Sequence, residues 1–519
     1  MAGPDAGLEA PVTEVLDKPT KGARGVARGG LANMAGSALA GGTGVAVTWV
    51  AARMLGAERA GAFFAATAAF VLVGGLAKLG TQTGLVYWLS RLRATGRPDL
   101  LGACLRIALA PVVVFSTLLG AAMWFAAPAI AHTTAHESAA LIGPHIAALR
   151  VLALFVPLQA LTDALLTATR GYRSMRPTVM IDRVLRSLLQ LLMVGAAGVA
   201  ALWTAASLPV FTLAWVLPYL PVAVLAAYAV RNVHQARRGP GDPGPAERRA
   251  LRRDFWRFTG PRALASVAQL ALQRVDVLLV AALGGLAPAA VYAVSGRFVV
   301  LVQFANQGIS QSVQPRLAEA LAVDDRRLAN HLYQTATGWL VLVTWPICLL
   351  VATLAPVYLR LFGDGYAAGA TVVRVLAGAM LVATGCGMVD MVLSMAGRTS
   401  WNLANVLVAL VVTIGLDVLL VPRLGALGAA VGLACAMVAN NLLPLIQVNR
   451  VVGLHPFGPG TRVAALLSLL CFGVLPALVG PMTGTVAGAA LGVPAFLAGV
   501  WLLRGRLALH AFARTRRTR

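Results

Sequence analysis

Nine cations (Lys78, Arg106, Arg150, Arg183, Arg186, Arg262, Arg274, Arg297 and Arg374) and five acids (Asp163, Asp182, Asp276, Asp390 and Asp417) sit inside stretches that are otherwise apolar. A charge held at the middle of a bilayer costs at least ~2.5 kcal/mol, so such groups face a protein interior or a wet cavity. Arg106, Arg262 and Asp417 lie within two turns of a span end, where snorkelling accounts for them. The rest divide by chemistry. A guanidinium forks onto two phosphate oxygens at once, so Arg183, Arg186, Arg274, Arg297, Arg150 and Arg374, with Lys78, are candidates for binding a diphosphate that crosses the membrane. Asp163, Asp276 and Asp390 are candidates for taking up a coupling proton or sodium ion; the competing reading makes them ion-pair partners of nearby arginines. If the span that carries them starts at Pro177, Arg183 and Arg186 stand roughly 9 and 14 Å above that end. Spacing i, i+3 then puts them on one helix face, which Gln190 continues, while Asp182 is placed to pair with Arg186. Lys78 falls in the inner half of its span, and Arg150, Arg274, Arg297 and Arg374 fall towards the outer half.

The elements that position these residues are legible from composition. Of 519 residues, 59% are hydrophobic and 12% charged, with a mean hydropathy of +0.78. Soluble domains carry about 25% charged residues, and a compact soluble chain of this length could not cover its surface with so few. The fold class is all-α and polytopic, with about fourteen spans. Their approximate limits are 30–52, 60–89, 101–127, 145–168, 177–203, 206–230, 260–283, 287–312, 334–356, 367–395, 400–421, 425–447, 463–480 and 484–503. Basic residues test the count, because Lys and Arg collect in cytoplasmic loops. With a cytoplasmic N-terminus, thirty of them fall inside and four outside (Arg53, Arg59, Arg360 and Arg423), so both termini are expected in the cytoplasm. The net charge of +24 is spread over clusters between apolar runs, which is topology signalling and not a nucleic-acid surface. Five cysteines inside apolar runs indicate neither disulfides nor zinc, and no cleavable signal is expected at the N-terminus.

The chain divides into a tail (1–29), six spans (30–230), a basic linker (231–257), six more spans (258–449), an additional helix pair (450–503) and a basic tail (504–519). The Gly/Pro run at 237–245 argues for a flexible connection. Residues 55–80 lie on 283–308 at an offset of 228, matching Leu55/Leu283, Gly56/Gly284, Phe70/Phe298 and Gly80/Gly308, as a parallel repeat of six spans requires. The external connections are short. His132, His136 and His145 with Glu137 lack the Glu placement of an H-E-x-x-H site and are read as solvated loop residues. Gly41, Gly42 and Gly44 lie within a span, so they suit close helix packing and not a phosphate loop. No nucleotide-binding domain, metal, cofactor or enzymatic constellation is expected.

Several segments resemble a known family. Arg53-Met-Leu-Gly56 with Gly61 and Phe64 resembles the R-x-L-G-x(4)-G signature of polysaccharide transporters, and Arg274-Val-Asp276 with Leu283-Gly284 and Tyr292 is similar to its repeat. Arg170-Gly171 resembles the RG turn after span four. Gly397 to Gly428 is the best match: Asn402, Asn405, the run Leu419-Leu420-Val421-Pro422-Arg423-Leu424-Gly425, and Gly428-Ala429-Ala430 resemble an N-x(n)-LIPxxGxxGAA pattern. The family is the oligosaccharide-lipid flippase branch of the multidrug/oligosaccharidyl-lipid/polysaccharide (MOP) exporter superfamily, whose fold is MATE-like. The resemblance covers most of 30–450. It implies two six-helix bundles rocking about a cationic central cavity, and a polyprenyl-diphosphate-linked glycan moved from the inner to the outer leaflet of a bacterial cytoplasmic membrane. A peptidoglycan lipid II flippase shares these features. A cationic-drug antiporter would favour an acid-dominated cavity; a glycan polymerase would need larger external loops; a scaffold that recruits synthases through the linker and tail is the non-transporting alternative. Expected partners are the lipid-linked glycan, membrane lipids, H+ or Na+ as coupling ion, and glycan polymerase or synthase proteins, with no nucleic acid.

Overall fold

A computed structural model describes residues 21–136, 138–236 and 244–507, with side chains from residue 34 onward, Thr483 aside. Most of the N-terminal tail, Glu137, the Gly/Pro core of the linker and the last twelve residues of the C-terminal tail therefore lie outside the described residues. Those described form helices and no strand. Thirteen helical segments are long and apolar enough to cross a membrane, and the first, Met34–Ala94, has 61 residues. At 1.5 Å per residue that is three times the need of one crossing. It is two spans, because Gly56 breaks the helix with φ 74° and ψ 170°.

The spans are numbered α1 (21–55), α2 (57–94, interrupted at 78–80), α3 (Leu101–Thr134), α4 (Ala139–Gly171), α5 (Thr178–Ala200), α6 (Leu208–Gln235) and α7 (Pro245–Gly284). They continue as α8 (Leu286–Ala322), α9 (Arg326–Thr353), α10 (Asp364–Met395), α11 (Thr399–Leu424), α12 (Ala426–Val452), α13 (Pro459–Met482) and α14 (Thr485–Leu502). The span count read from hydropathy and parity is the one observed.

Two features refine the expected plan. The linker is helical at both ends: α6 runs to Gln235 and α7 begins at Pro245. Leu251 and Phe255 of that stretch are buried in one apolar cluster with Leu85, Leu89, Leu101 and Cys104 of the first half, so 245–257 is a packed helix start; the connection expected to be flexible, 237–245, lies almost wholly outside the described residues. The internal repeat also shifts by one residue. Gly56 shares its backbone conformation with Gly285 (φ 89°, ψ 173°) and not with Gly284, so the structural offset is 229. At that offset Ala52 falls on Ala281 and Ala60 on Ala289, all four buried. A left-handed φ strains any residue with a Cβ, which is why glycine closes both turns.

These one-residue turns, with Gly425 and Gly484, mark one end of the molecule, called here the hairpin face; the α6–α7 connection marks the opposite, linker face. The two halves of the chain, α1–α6 and α7–α12, share a single apolar core towards the hairpin face, containing Phe63, Phe64, Tyr292 and Phe298. They touch at both faces. Trp49 Nε1 donates to the Leu361 carbonyl at 2.7 Å and the Tyr366 hydroxyl to the Ala52 carbonyl at 3.2 Å. Towards the linker face, Tyr87 stacks on Phe258 with ring centroids 4.1 Å apart, and a Cβ on Gly80 would meet the Ala263 backbone at 2.6 Å. The pair α13–α14 packs on α9 through Val341 and Ala464.

Candidate functional site

A partly open cavity of about 430 Å³ lies within the second half, lined from α7, α8, α9, α10 and α12. Gln269, Gln273 and Asp276 are spaced i, i+4, i+7 and therefore present one face of α7 to it; Arg274 also reaches the lining. From α8 come Arg297, Gln303 and Asn306, from α10 Asp390, and from α12 Asn440 and Asn441. Six carboxamides are thus gathered around two arginines and two aspartates in a region that is otherwise apolar.

The charges do not cancel by contact. Asp276 accepts the backbone N–H of Val277 at 2.8 Å through Oδ1, and Oδ2 accepts the Tyr292 hydroxyl. Each of its two oxygens is therefore engaged by a donor other than a guanidinium group. The Nε atoms of Arg274 and Arg297 are closed to solvent without a hydrogen-bond partner among the described residues. The Arg297 guanidinium carbon lies 5.8 Å from the ring centroid of Phe64, so the π face of a first-half residue balances part of its charge.

In the first half the candidates are placed differently. Lys78 Nζ is 2.7 Å from Asp163 Oδ2, tying α2 to α4 across 85 residues of sequence. Arg186 Nε is 2.7 Å from Asp182 Oδ1, its Nη1 donates to Gln190 Oε1 at 3.2 Å, and its guanidinium lies 5.3 Å from the Tyr219 ring centroid. The start of α5, Thr178–Arg186, is a π-helix. Bonds from i to i+5 give about 4.4 residues per turn, so a spacing of four keeps Asp182 beside Arg186 while a spacing of three splays Arg183 from it by roughly 115°. The shared face expected for the two arginines is therefore absent, and Arg183 packs beside Gly36 of α1. Arg150 lies in a separate crevice with Trp124, and Arg374 is exposed on α10.

Of the seven candidate cations, the structure brings Arg274 and Arg297 together, with Asp276 and Asp390. The cavity that holds them lies inside the second half and carries both signs, whereas the sequence predicts a positively charged chamber between the halves. Asp417 also differs from expectation. It is 0% exposed, both carboxylate oxygens lack partners among the described residues, and the Thr413 hydroxyl one turn earlier is likewise unpartnered. The absence of a side chain at Gly432 makes room for it, since a Cβ there would stand 2.3 Å from Asp417 Oδ1. Its seven-residue distance from Leu424 suggests a snorkelling end group; only the packing of α12 against α11 reveals the burial. His145, expected in a solvated loop, is buried within α4.

Comparison with known proteins agrees with this architecture. Residues 261–419 match the MatE family model. The solved structure of the lipid II flippase MurJ in an inward closed conformation superposes with a TM-score of 0.70 at 12% identity, covering 92% of this chain and 99% of that one. An inward-facing multidrug resistance MATE family transporter of the MOP superfamily gives 0.63 at 14% identity, covering 81% of this chain and 94% of that one. A MOP superfamily transporter from Pyrococcus furiosus, described by the reversed polarity of its binding pocket, gives 0.54 at 16% identity, covering 83% and 96%. No curated protein matches the sequence. The chain is a multi-pass membrane protein with the MATE-like fold of MOP superfamily transporters.

Proposed function

We propose that this protein is a flippase that carries a polyprenyl-diphosphate-linked oligosaccharide or polysaccharide repeat unit from the inner to the outer leaflet by alternating access. One observation carries the reading: Arg274 and Arg297 face a common carboxamide-lined cavity with neither bound to an acid. Such guanidinium groups supply the bidentate donors that a diphosphate accepts. The carboxamides offer both donors and acceptors, as sugar hydroxyls require. Contacts between the halves at both faces suit a closed state of a carrier whose two six-helix units rock against each other. Asp276 and Asp390 are the coupling-ion candidates that share the cavity, whereas Asp163 serves Lys78. The arginine distribution orients both termini to the cytoplasm, with the hairpin face outward.

A second reading, lipid II as the cargo, is favoured by the extent of the fold match: the MurJ structure covers 92% of this chain and the multidrug transporter 81%. Reconstitution in vesicles with labelled lipid-linked glycan and, separately, labelled lipid II tests both. Flipping of the first alone supports the main reading, flipping of the second alone replaces it, and flipping of neither overturns both.

A further inference from the structure

A second crevice, about 360 Å³, opens on the outside of the first half between α3 and α4, away from the transport cavity. We propose that it binds an anionic glycerophospholipid of the surrounding membrane, held by its headgroup phosphate on Arg150.

The crevice contains one ionisable side chain. Arg150 is half-buried there, its Nε is closed to solvent, and no hydrogen-bond or ion-pair partner for it exists among the described residues. Its guanidinium carbon stands 5.4 Å from the ring centroid of Trp124, which shields the charge on one side and supplies no anion. An unpaired cation inside the span Ala139–Gly171 is costly, and a phosphate is the anion that a membrane offers at a surface open to it.

Placement along the helix fits a lipid in one orientation. Gly143, Ala147, Arg150 and Leu154 fall at i, i+4, i+7 and i+11, a single stripe of α4 that lines the crevice. Arg150 lies eleven residues from the helix start, roughly 16 Å below the hairpin-face end at the α-helical rise. Side chains on a helix lean towards its N-terminus, so the guanidinium points back to that end, where headgroups lie. The residues on that side are Gly143 and Ala147, whose small size leaves room for a headgroup. On the other side Leu154 of α4 lines the crevice, exposed and apolar, a surface for an acyl chain. None of this depends on the transport reading.

The test uses the full chain in nanodiscs of phosphatidylcholine containing phosphatidylglycerol or phosphatidylethanolamine, with retained lipid counted by native mass spectrometry. The wild type should retain phosphatidylglycerol about tenfold over phosphatidylethanolamine, because the ammonium of the latter offsets its phosphate charge and competes with Arg150 for it. Arg150→Ala should abolish that preference, and Ala147→Phe, which fills the crevice and leaves the charge, should reduce retention. Arg297→Ala should retain lipid as the wild type does. Equal retention of the two lipids by the wild type, or an unaltered preference in Arg150→Ala, overturns the proposal. If Arg150→Ala does not insert, Ala147→Phe decides alone, and unchanged retention there sinks it. Loss of retention in Arg297→Ala would move the lipid to the second-half cavity, and displacement by polyprenyl phosphate but not by added phosphatidylglycerol would identify a substrate-type ligand; either contradicts the assignment.

Discussion

The two halves repeat one helical plan and treat two pairs of intramembrane cations, Lys78 and Arg186 against Arg274 and Arg297, in opposite ways. In the first, Lys78 and Arg186 each meet an aspartate at 2.7 Å, so their charges are consumed in joining helices. In the second, Arg274 and Arg297 have no such partner among the described residues, and Asp276 beside them is bonded to Tyr292 and Val277. Removing one partner from a buried ion pair is destabilising, whereas an unpaired cation beside a cavity is already costly and is retained for what it binds. The lesson is that an arginine within a span is informative only once its neighbours are known.

Four measurements test this contrast. The largest effect is expected in the second half: Arg297→Ala or Arg274→Ala should lower flipping of a lipid-linked glycan at least about tenfold in vesicles, with insertion unchanged. Wild-type rates in both would end the cavity assignment. In the first half, Lys78→Met should instead cost roughly 3 kcal/mol of stability by leaving Asp163 unpaired, seen as a lowered Tm. The double variant Lys78→Met/Asp163→Leu should recover most of the loss and still transport; an inactive double would place this pair in the carrier path and erase the contrast. Gly56→Ala and Gly285→Ala should each cost about 1–2 kcal/mol, and by similar amounts, because the halves agree in backbone where they differ in charge. The smallest effect lies at the linker face, where Arg97 binds Asp99 and Glu247, each at 2.8 Å. Arg97 holds the Asp99 carboxyl below its ordinary range. A lowered value stabilises above the usual carboxylate pKa and the gain disappears as pH falls through the folded value. Melting of Arg97→Ala should therefore track the wild type closely between pH 5 and 8, and converge with it fully only under stronger acid.

Much of the fold is legible in the sequence because a span is a one-dimensional signal: apolar length marks the helices, and basic loops fix the parity. Depth is equally readable, since it counts residues from a helix end. Direction is not. The pairing of Asp182 with Arg186 follows from spacing alone, but that of Lys78 with Asp163 joins residues 85 apart and depends on how α2 meets α4. Arg374 and Asp417 show the limit from both sides: Arg374 has the position of an interior residue and is exposed, whereas Asp417 has the position of an end group and is fully buried. The repeat reads one residue out of register because the Gly284–Gly285 doublet offers two glycines and only the backbone says which one turns.

The wide stretch at the start of α5 has a consequence for the length of the chain itself. Nine residues wound with i→i+5 bonds hold a surplus residue relative to an ordinary α-helical path. Deleting one residue between 178 and 182 would tighten that segment and leave Ser187 to Ala200 seated as before, with Asp182 and Arg186 still four apart on one α-helical face. This helix can therefore absorb a change in residue number that the single-glycine corners, with no slack to give, would transmit to everything after them.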